Sequence, residues 1–203
     1  MGPGGQSLGW FRELMSPKGS EIPYEVLDME AEEVEPGSEG ILFLPHLMGE
    51  RGPSYDPYAK GVVFGLSLHH KRGHIIRAMM EGVAFQLRLI LDGIRQSGTM
   101  DEISEIVAIG GGAKSFVWRQ IIADIFNAPV CLPDREETGT LGLAILLSVG
   151  LGICKDICES SKKVGLRVIE RIEPRETYHR QYEKMLSLYV KLENALSEFF
   201  GTV

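Results

Sequence analysis

Residues 106–118, IVAIGGGAKSFVW, constrain the fold more than any other stretch of the chain. The apolar run Ile106, Val107, Ala108 and Ile109 meets three successive glycines, Gly110, Gly111 and Gly112. Ala113, Lys114 and Ser115 then lead into a segment with helical apolar spacing. The order reads as buried strand, tight turn and helix start. Successive glycines serve a backbone that must turn sharply, or that must let a ligand approach with no Cβ in the way. A helix start directly after them presents N–H groups that favour phosphate. The stretch is not a Walker A loop, because no glycine directly precedes Lys114 and the four-residue spacer is missing. It is not the GxGxxG dinucleotide fingerprint either. On its own it reads equally as a nucleotide-binding turn or as a plain tight connection.

The flanking elements place this turn in an α/β pattern. Ser115 is an N-cap residue for a helix through Trp118, Ile121, Ile122, Ile125 and Phe126. Residues 129–133 form a short strand bounded by prolines, and Leu141, Ala144, Ile145 and Val149 mark a third helix. Strand, helix, strand, helix with short joints predicts parallel strands. Upstream, Ile76, Met80, Val83, Leu87, Ile90 and Ile94 alternate at steps of four and three along a long helix over 73–97. Ile75, Met79 and Leu91 widen that stripe, so the helix packs between layers. Gly82 inside it requires a close neighbour to justify its propensity cost of about 1 kcal/mol. Arg77 and Glu81, four apart, can pair.

Residues 24–33 predict a short helix with Leu27 and Ala31 inward, and 40–47 and 62–68 read as extended runs. Between them lies a proline-stiffened loop with adjacent charges Glu50 and Arg51 and a turn starter at Asp56-Pro57. His69, His70 and His74 follow; His70 and His74 can share a face, but the sequence offers no third zinc ligand at useful spacing. Residues 153–173 read as a mixed linker with a helical turn or two. A last helix from Pro174 carries Tyr178, Tyr182, Met185, Tyr189, Leu192, Leu196 and Phe199 as a docking stripe, which could also seal a dimer.

Composition sets bounds on function. The chain has 203 residues, 44% of them hydrophobic, enough for a packed core. A formal charge of -7 with no basic cluster argues against a nucleic-acid surface. Cys131, Cys154 and Cys158 make no disulfide framework and no metal pattern; Cys154 and Cys158 could share a helix face. With neither a signal peptide nor a membrane-length apolar run, the chain reads as cytoplasmic.

Several segments together resemble the C-terminal part of the FGGY family of carbohydrate kinases, nearest to xylulokinase-like members. They are GSEGILFLPHLMGERGPSYDPYAKGVVFGLSL (37–68), RAMMEGVAFQLR (77–88), IGGGAKSFVWRQIIADIFNAPV (109–130) and EETGTLGLAILLSVG (136–150). The resemblance implies an RNase H-like, actin-like ATPase domain. It implies ATP-dependent, Mg²⁺-assisted phosphoryl transfer to a sugar hydroxyl. Gly110, Gly111, Gly112 and Ala113 match the family's adenosine-binding turn, with Lys114 and Ser115 following where the helix begins. Gly139 and Gly142 match a glycine pair in a nearby helix, and Glu50 and Arg51 match the GER element, read as cleft support rather than a catalytic pair. His46, Gly52, Lys60, Thr140 and Leu143 depart from the family's usual residues, which bears on fine specificity.

The resemblance also implies what this piece lacks. The family's full chain is about twice as long and carries its catalytic aspartate and most sugar contacts upstream. None of Asp28, Asp56, Asp92, Asp101, Asp124, Asp134 or Asp156 sits in the matching context, so no catalytic residue is assigned here, and no metal ligand. Residues 1–170 are expected to form the partial domain, with an insertion at about 10–72 and only the last two core strands. Residues 171–203 are expected to pack on it as a C-terminal helix. The expected role is the nucleotide side of a sugar kinase, silent alone, with a missing N-terminal half or self-association as its partner. The alternative is a non-catalytic nucleotide-binding or partner-binding module. The sugar stays open among xylulose, gluconate, glycerol, ribulose and fuculose.

Overall fold

The computed structural model describes residues 4–98, 103–135, 138–165 and 167–202. Asp101, Glu136 and Glu137 of the sequence reading lie outside the described residues. Helices α1 (Gly4–Met15) and α2 (Tyr24–Glu32) come first. Strand β1 (Leu42–Leu44), the hairpin β2 (Glu50–Arg51) and β3 (Tyr55–Asp56), and β4 (Val62–Phe64) follow, then the long α3 (Arg72–Gln96). The second half runs β5 (Ile106–Val107), α4 (Phe116–Phe126), β6 (Val130–Pro133), α5 (Thr138–Gly150), α6 (Ile157–Val164), β7 (Val168–Ile172) and α7 (Glu176–Phe200).

Helix α3 is the centre of the core. Its apolar stripe buries Ile76, Met79, Met80, Val83, Ala84 and Phe85, and α1, α2, β1 and α4 pack around it. Leu27 and Ala31 of α2 are fully buried, as their spacing predicts. Gly82 has its close neighbour: a Cβ there would lie 2.1 Å from the carbonyl oxygen of Phe43 in β1. Helix α7 lays Tyr182 and Tyr189 against Phe85, with ring centroids 5.9 and 5.6 Å apart. At its end Phe200 is buried and Phe199 exposed, one position from the expected stripe.

Arg77 and Glu81 do pair, at 3.0 Å, and both are buried. The Glu81 carboxylate also accepts the Gly37 N–H (2.8 Å), the Ser38 hydroxyl (2.8 Å) and the Tyr182 hydroxyl (2.7 Å). Burial raises its pKa, and Arg77 with the three other donors opposes that. Each of these neighbours can donate to the carboxylate, and that donation opposes the effect of burial. The network ties α3, α7 and the turn before β1 into one unit.

The two extended runs pair antiparallel, β1 with β4, beside α3. The sheet of the second half has the expected parallel pair and adds a third strand to it. Its order is β5-β6-β7: β5 and β6 are parallel, and β7 is antiparallel to β6. Residues 153–173 are therefore not a linker. They supply α6, started by the Asp156 side chain accepting the Glu159 N–H, and β7, whose short alternation of Val168, Glu170 and Ile172 is broken by charges. Cys154 lies before α6 and does not share its face with Cys158.

Helix α4 covers one face of this sheet, packing Ala123 and Ile122 on Ile106, Val130 and Ile172. On the opposite face Val107, Ile109 and Ile169 are exposed. Helix α5 buries none of its residues and exposes Leu143, Leu146 and Leu147. No helix among the described residues is long and apolar enough to cross a membrane.

Candidate functional site

The strand-turn-helix unit forms as the sequence implies. β5 ends at Val107, the chain turns through Gly110 at φ 84 and ψ -174, and a 3-10 turn at Gly111–Lys114 follows. Only glycine adopts that Gly110 geometry without strain. Added Cβ atoms at Gly110 and Gly111 would meet nothing within 4 Å, so the outer side of the turn is open. Gly112 backs onto the Trp118 ring, 3.2 Å from a Cβ built there. Trp118 is anchored in turn by donating its indole N–H to the Met80 carbonyl of α3 at 3.1 Å. The turn thus rests on a rigid wall and faces outward.

Ser115 is the N-cap of α4: its hydroxyl accepts the Trp118 N–H at 3.1 Å and donates to Asp28 Oδ1 at 2.9 Å. Its side chain is buried and committed to the fold, so it positions the helix start rather than facing the opening. Ala113 is buried beneath the turn; Gly110, Gly111, Gly112 and Lys114 are exposed. Burial raises the Asp28 pKa, and the Ser115 hydrogen bond opposes this. Ser115→Ala is expected to destabilise the chain by about 1–2 kcal/mol, measured by urea unfolding, because it removes a cap and one partner of Asp28.

Glu50 is buried and accepts the Ser54 N–H at 3.0 Å and the Gln86 side-chain N–H at 3.1 Å, while Arg51 is exposed. The pair is not a mutual ion pair: β2 and β3 form a hairpin docked on α3, and Asp56 accepts the Tyr58 N–H in the turn that its sequence predicts. The turn meets α3 at Met80 and the hairpin meets it at Gln86, six residues or about 9 Å further along the axis. They are separate features of one wall. Gly139 and Gly142 have open space around them, so the structure does not press them against the glycine turn.

Burial, and then the nearby Glu193 charge, push the Glu50 pKa above its ordinary value of 4.5. A raised carboxyl pKa in the folded state favours folding below the unfolded value, and that advantage is lost as pH rises through the folded one. Glu50→Gln keeps an acceptor for Ser54 and does not ionise. Its stability relative to the parent is expected to climb from pH 4 to pH 8 in parallel urea titrations; a constant difference would contradict the assignment.

The described aspartates all have structural work. Asp124 pairs with Arg175 at 2.6 Å, Asp92 with Arg88, Asp156 caps α6, and Asp134 accepts the Arg167 N–H. With Asp28 and Asp56 engaged as above, none of them stands over the glycine turn as a free base.

This arrangement sets an open glycine turn on the wall made by α3 and α4, beside a three-stranded sheet whose other face exposes apolar side chains. The class it defines is the actin-like ATPase fold. The sequence model of the FGGY family of carbohydrate kinases, C-terminal domain, matches residues 4–151, and the chain belongs to that family. A gluconokinase from Bacillus licheniformis is 37% identical over 208 residues, covering 98% of this chain and 40% of that protein. A xylulose kinase from Staphylococcus epidermidis is 37% identical over 185 residues, covering 91% of this chain and 36% of that one. The crystal structure of a ligand-bound xylulose kinase from Lactobacillus acidophilus superposes with a TM-score of 0.84 at 30% identity, covering 98% of this chain and 39% of that one. The chain therefore spans about 40% of the length of the relatives it matches.

Proposed function

We propose that the chain is the nucleotide-side wall of an ATP-dependent sugar kinase, with xylulose or gluconate as the class of acceptor. The observation that carries this reading is the open turn at Gly110–Gly112, where an adenine nucleotide can approach backbone with no Cβ in the way. Lys114 and the start of α4 would favour its phosphates. Mg²⁺, bound with the nucleotide, would supply neutralisation of the phosphate charge. The base that takes the sugar hydroxyl proton would come from the part of the kinase upstream of the matched residues, since the described aspartates here have structural roles. Phosphoryl transfer depends on positioning from both walls, so this chain alone is silent.

A coupled kinase assay tests the reading. The pure chain is expected to give no ATP-dependent phosphorylation of xylulose or gluconate. A chimera in which residues 1–203 replace the matching part of a gluconokinase is expected to turn over, and to lose activity with Gly111→Val. Turnover by the pure chain would refute the silent-wall reading. A folded but inactive chimera would favour the non-catalytic module.

The open sheet face and α5 supply the partner reading. Val107, Ile109 and Ile169 on the sheet, with Leu143, Leu146 and Leu147 on α5, suit an apolar partner surface. The pure chain is expected to self-associate in sedimentation velocity, and Val107→Asp with Leu146→Asp to shift it toward monomer. A parent that sediments as a monomer at all concentrations would contradict this.

A further inference from the structure

The segment between β4 and α3 carries His69 and His70, and the first turn of α3 carries His74; the kinase reading leaves all three unused. The turn at 37–40 brings Glu39 to them from far upstream. Gly37 and Ser38 are held by buried Glu81, and Ser38 and Glu39 both adopt φ 50, so the Glu39 side chain leaves a pinned backbone. Its carboxylate lies 3.2 Å from His69 Nε2 and 3.6 Å from His74 Nε2. One ring nitrogen each of His69 and His70 and a carboxylate oxygen of Glu39 lie within 4.8 Å of one another. His69 Nδ1 sits 2.6 Å from Ser67 Oγ, which orients the ring with Nε2 toward Glu39. His70 Nε2 is buried and has no hydrogen-bond partner. A buried, unpartnered ring nitrogen is a standing cost, which a cation bound there would remove once the ring proton has moved to the other nitrogen.

We propose that Glu39, His69 and His70 form a binding site for a first-row divalent transition cation, Zn²⁺ foremost. Two imidazole nitrogens and one carboxylate oxygen suit zinc, cobalt or nickel; magnesium and calcium take oxygen ligands. Three protein ligands leave the fourth tetrahedral position to water. Ligand atoms about 2.1 Å from zinc stand about 3.4 Å apart, so the exposed Glu39 and His69 side chains must close slightly. His70 Nδ1 accepts the Ser67 N–H at 2.9 Å, which puts the ring proton on Nε2. Metal binding through Nε2 moves that proton to Nδ1 by exchange with solvent, and the exposed Ser67 N–H turns to water. His74 Nδ1 accepts the Lys71 N–H, and its Nε2 lies 3.6 Å from Glu39, so His74 is an outer neighbour of the site rather than a ligand.

The site stands independently of the kinase reading. The tag-free chain, stripped with a chelator, is titrated with Zn²⁺ by calorimetry, beside Glu39→Gln and His69→Ala. The cysteines are the same in all three proteins, so the difference isolates the site. One saturable site is expected, weakened at least about tenfold in each variant, with metal-free melting unchanged because both side chains are exposed. No saturable Zn²⁺ binding to the parent, or a loss below tenfold in either variant, would overturn the proposal.

Discussion

Glu81→Leu is expected to destabilise the chain by about 3–5 kcal/mol, the range for breaking a buried ion pair on one side. The substitution leaves the Arg77 guanidinium buried without its carboxylate, and it strips the Gly37 N–H and the Ser38 and Tyr182 hydroxyls of their shared acceptor. Against a typical total of about 5–15 kcal/mol, such a loss removes a large share of the stability. Urea unfolding should show a lower midpoint at similar slope. The Arg77→Met, Glu81→Leu pair tests the cause: its loss should fall well short of the sum of the two single losses, because both partners of the charge pair are gone. Strict additivity would mean that the two side chains act separately.

Gly82→Ala is the second large effect, and it runs against propensity. In an isolated helix the change would gain about 1 kcal/mol. Here the new methyl would stand 2.1 Å from the Phe43 carbonyl oxygen, a backbone atom of β1 held by its pairing with β4. Either β1 moves off α3 or the helix shifts, and a net loss of about 2–4 kcal/mol is expected. Gly111→Ala is the control, since nothing lies within 4 Å of that position and its thermal midpoint should match the parent. A stabilised Gly82→Ala protein would contradict the packing of α3 on β1.

Local pattern carried much of the fold. The stripe on α3, the Ser115 cap and the glycine turn were legible because each depends on residues within a few positions of one another. The order of motifs carried the family, since several segments in fixed sequence are far more specific than three glycines. What sequence reading missed depends on distant partners. β7 looks like linker because Glu170 and Arg171 interrupt its apolar pattern, yet Arg119 of α4 pairs with Glu170 and β6 supplies the ladder. The burial of Glu50 was invisible because Gln86, which receives it, lies on another element. Glu39 could not be joined to the histidines from spacing alone; the Glu81 network that turns it toward them spans α3 and α7. Ser115 shows the reverse case, where a residue in the matched motif is drawn inward by Asp28, which no local pattern announces.

The most direct test of the account is an amide-shift map of the isotope-labelled chain titrated with Mg·ADP. Saturable shifts centred on the backbone of Gly110, Gly111, Gly112, Ala113, Lys114 and Ser115, abolished by Gly111→Val in a protein that melts like the parent, are the predicted result. Shifts that leave this turn untouched, or that gather at the Glu50 hairpin instead, would contradict it.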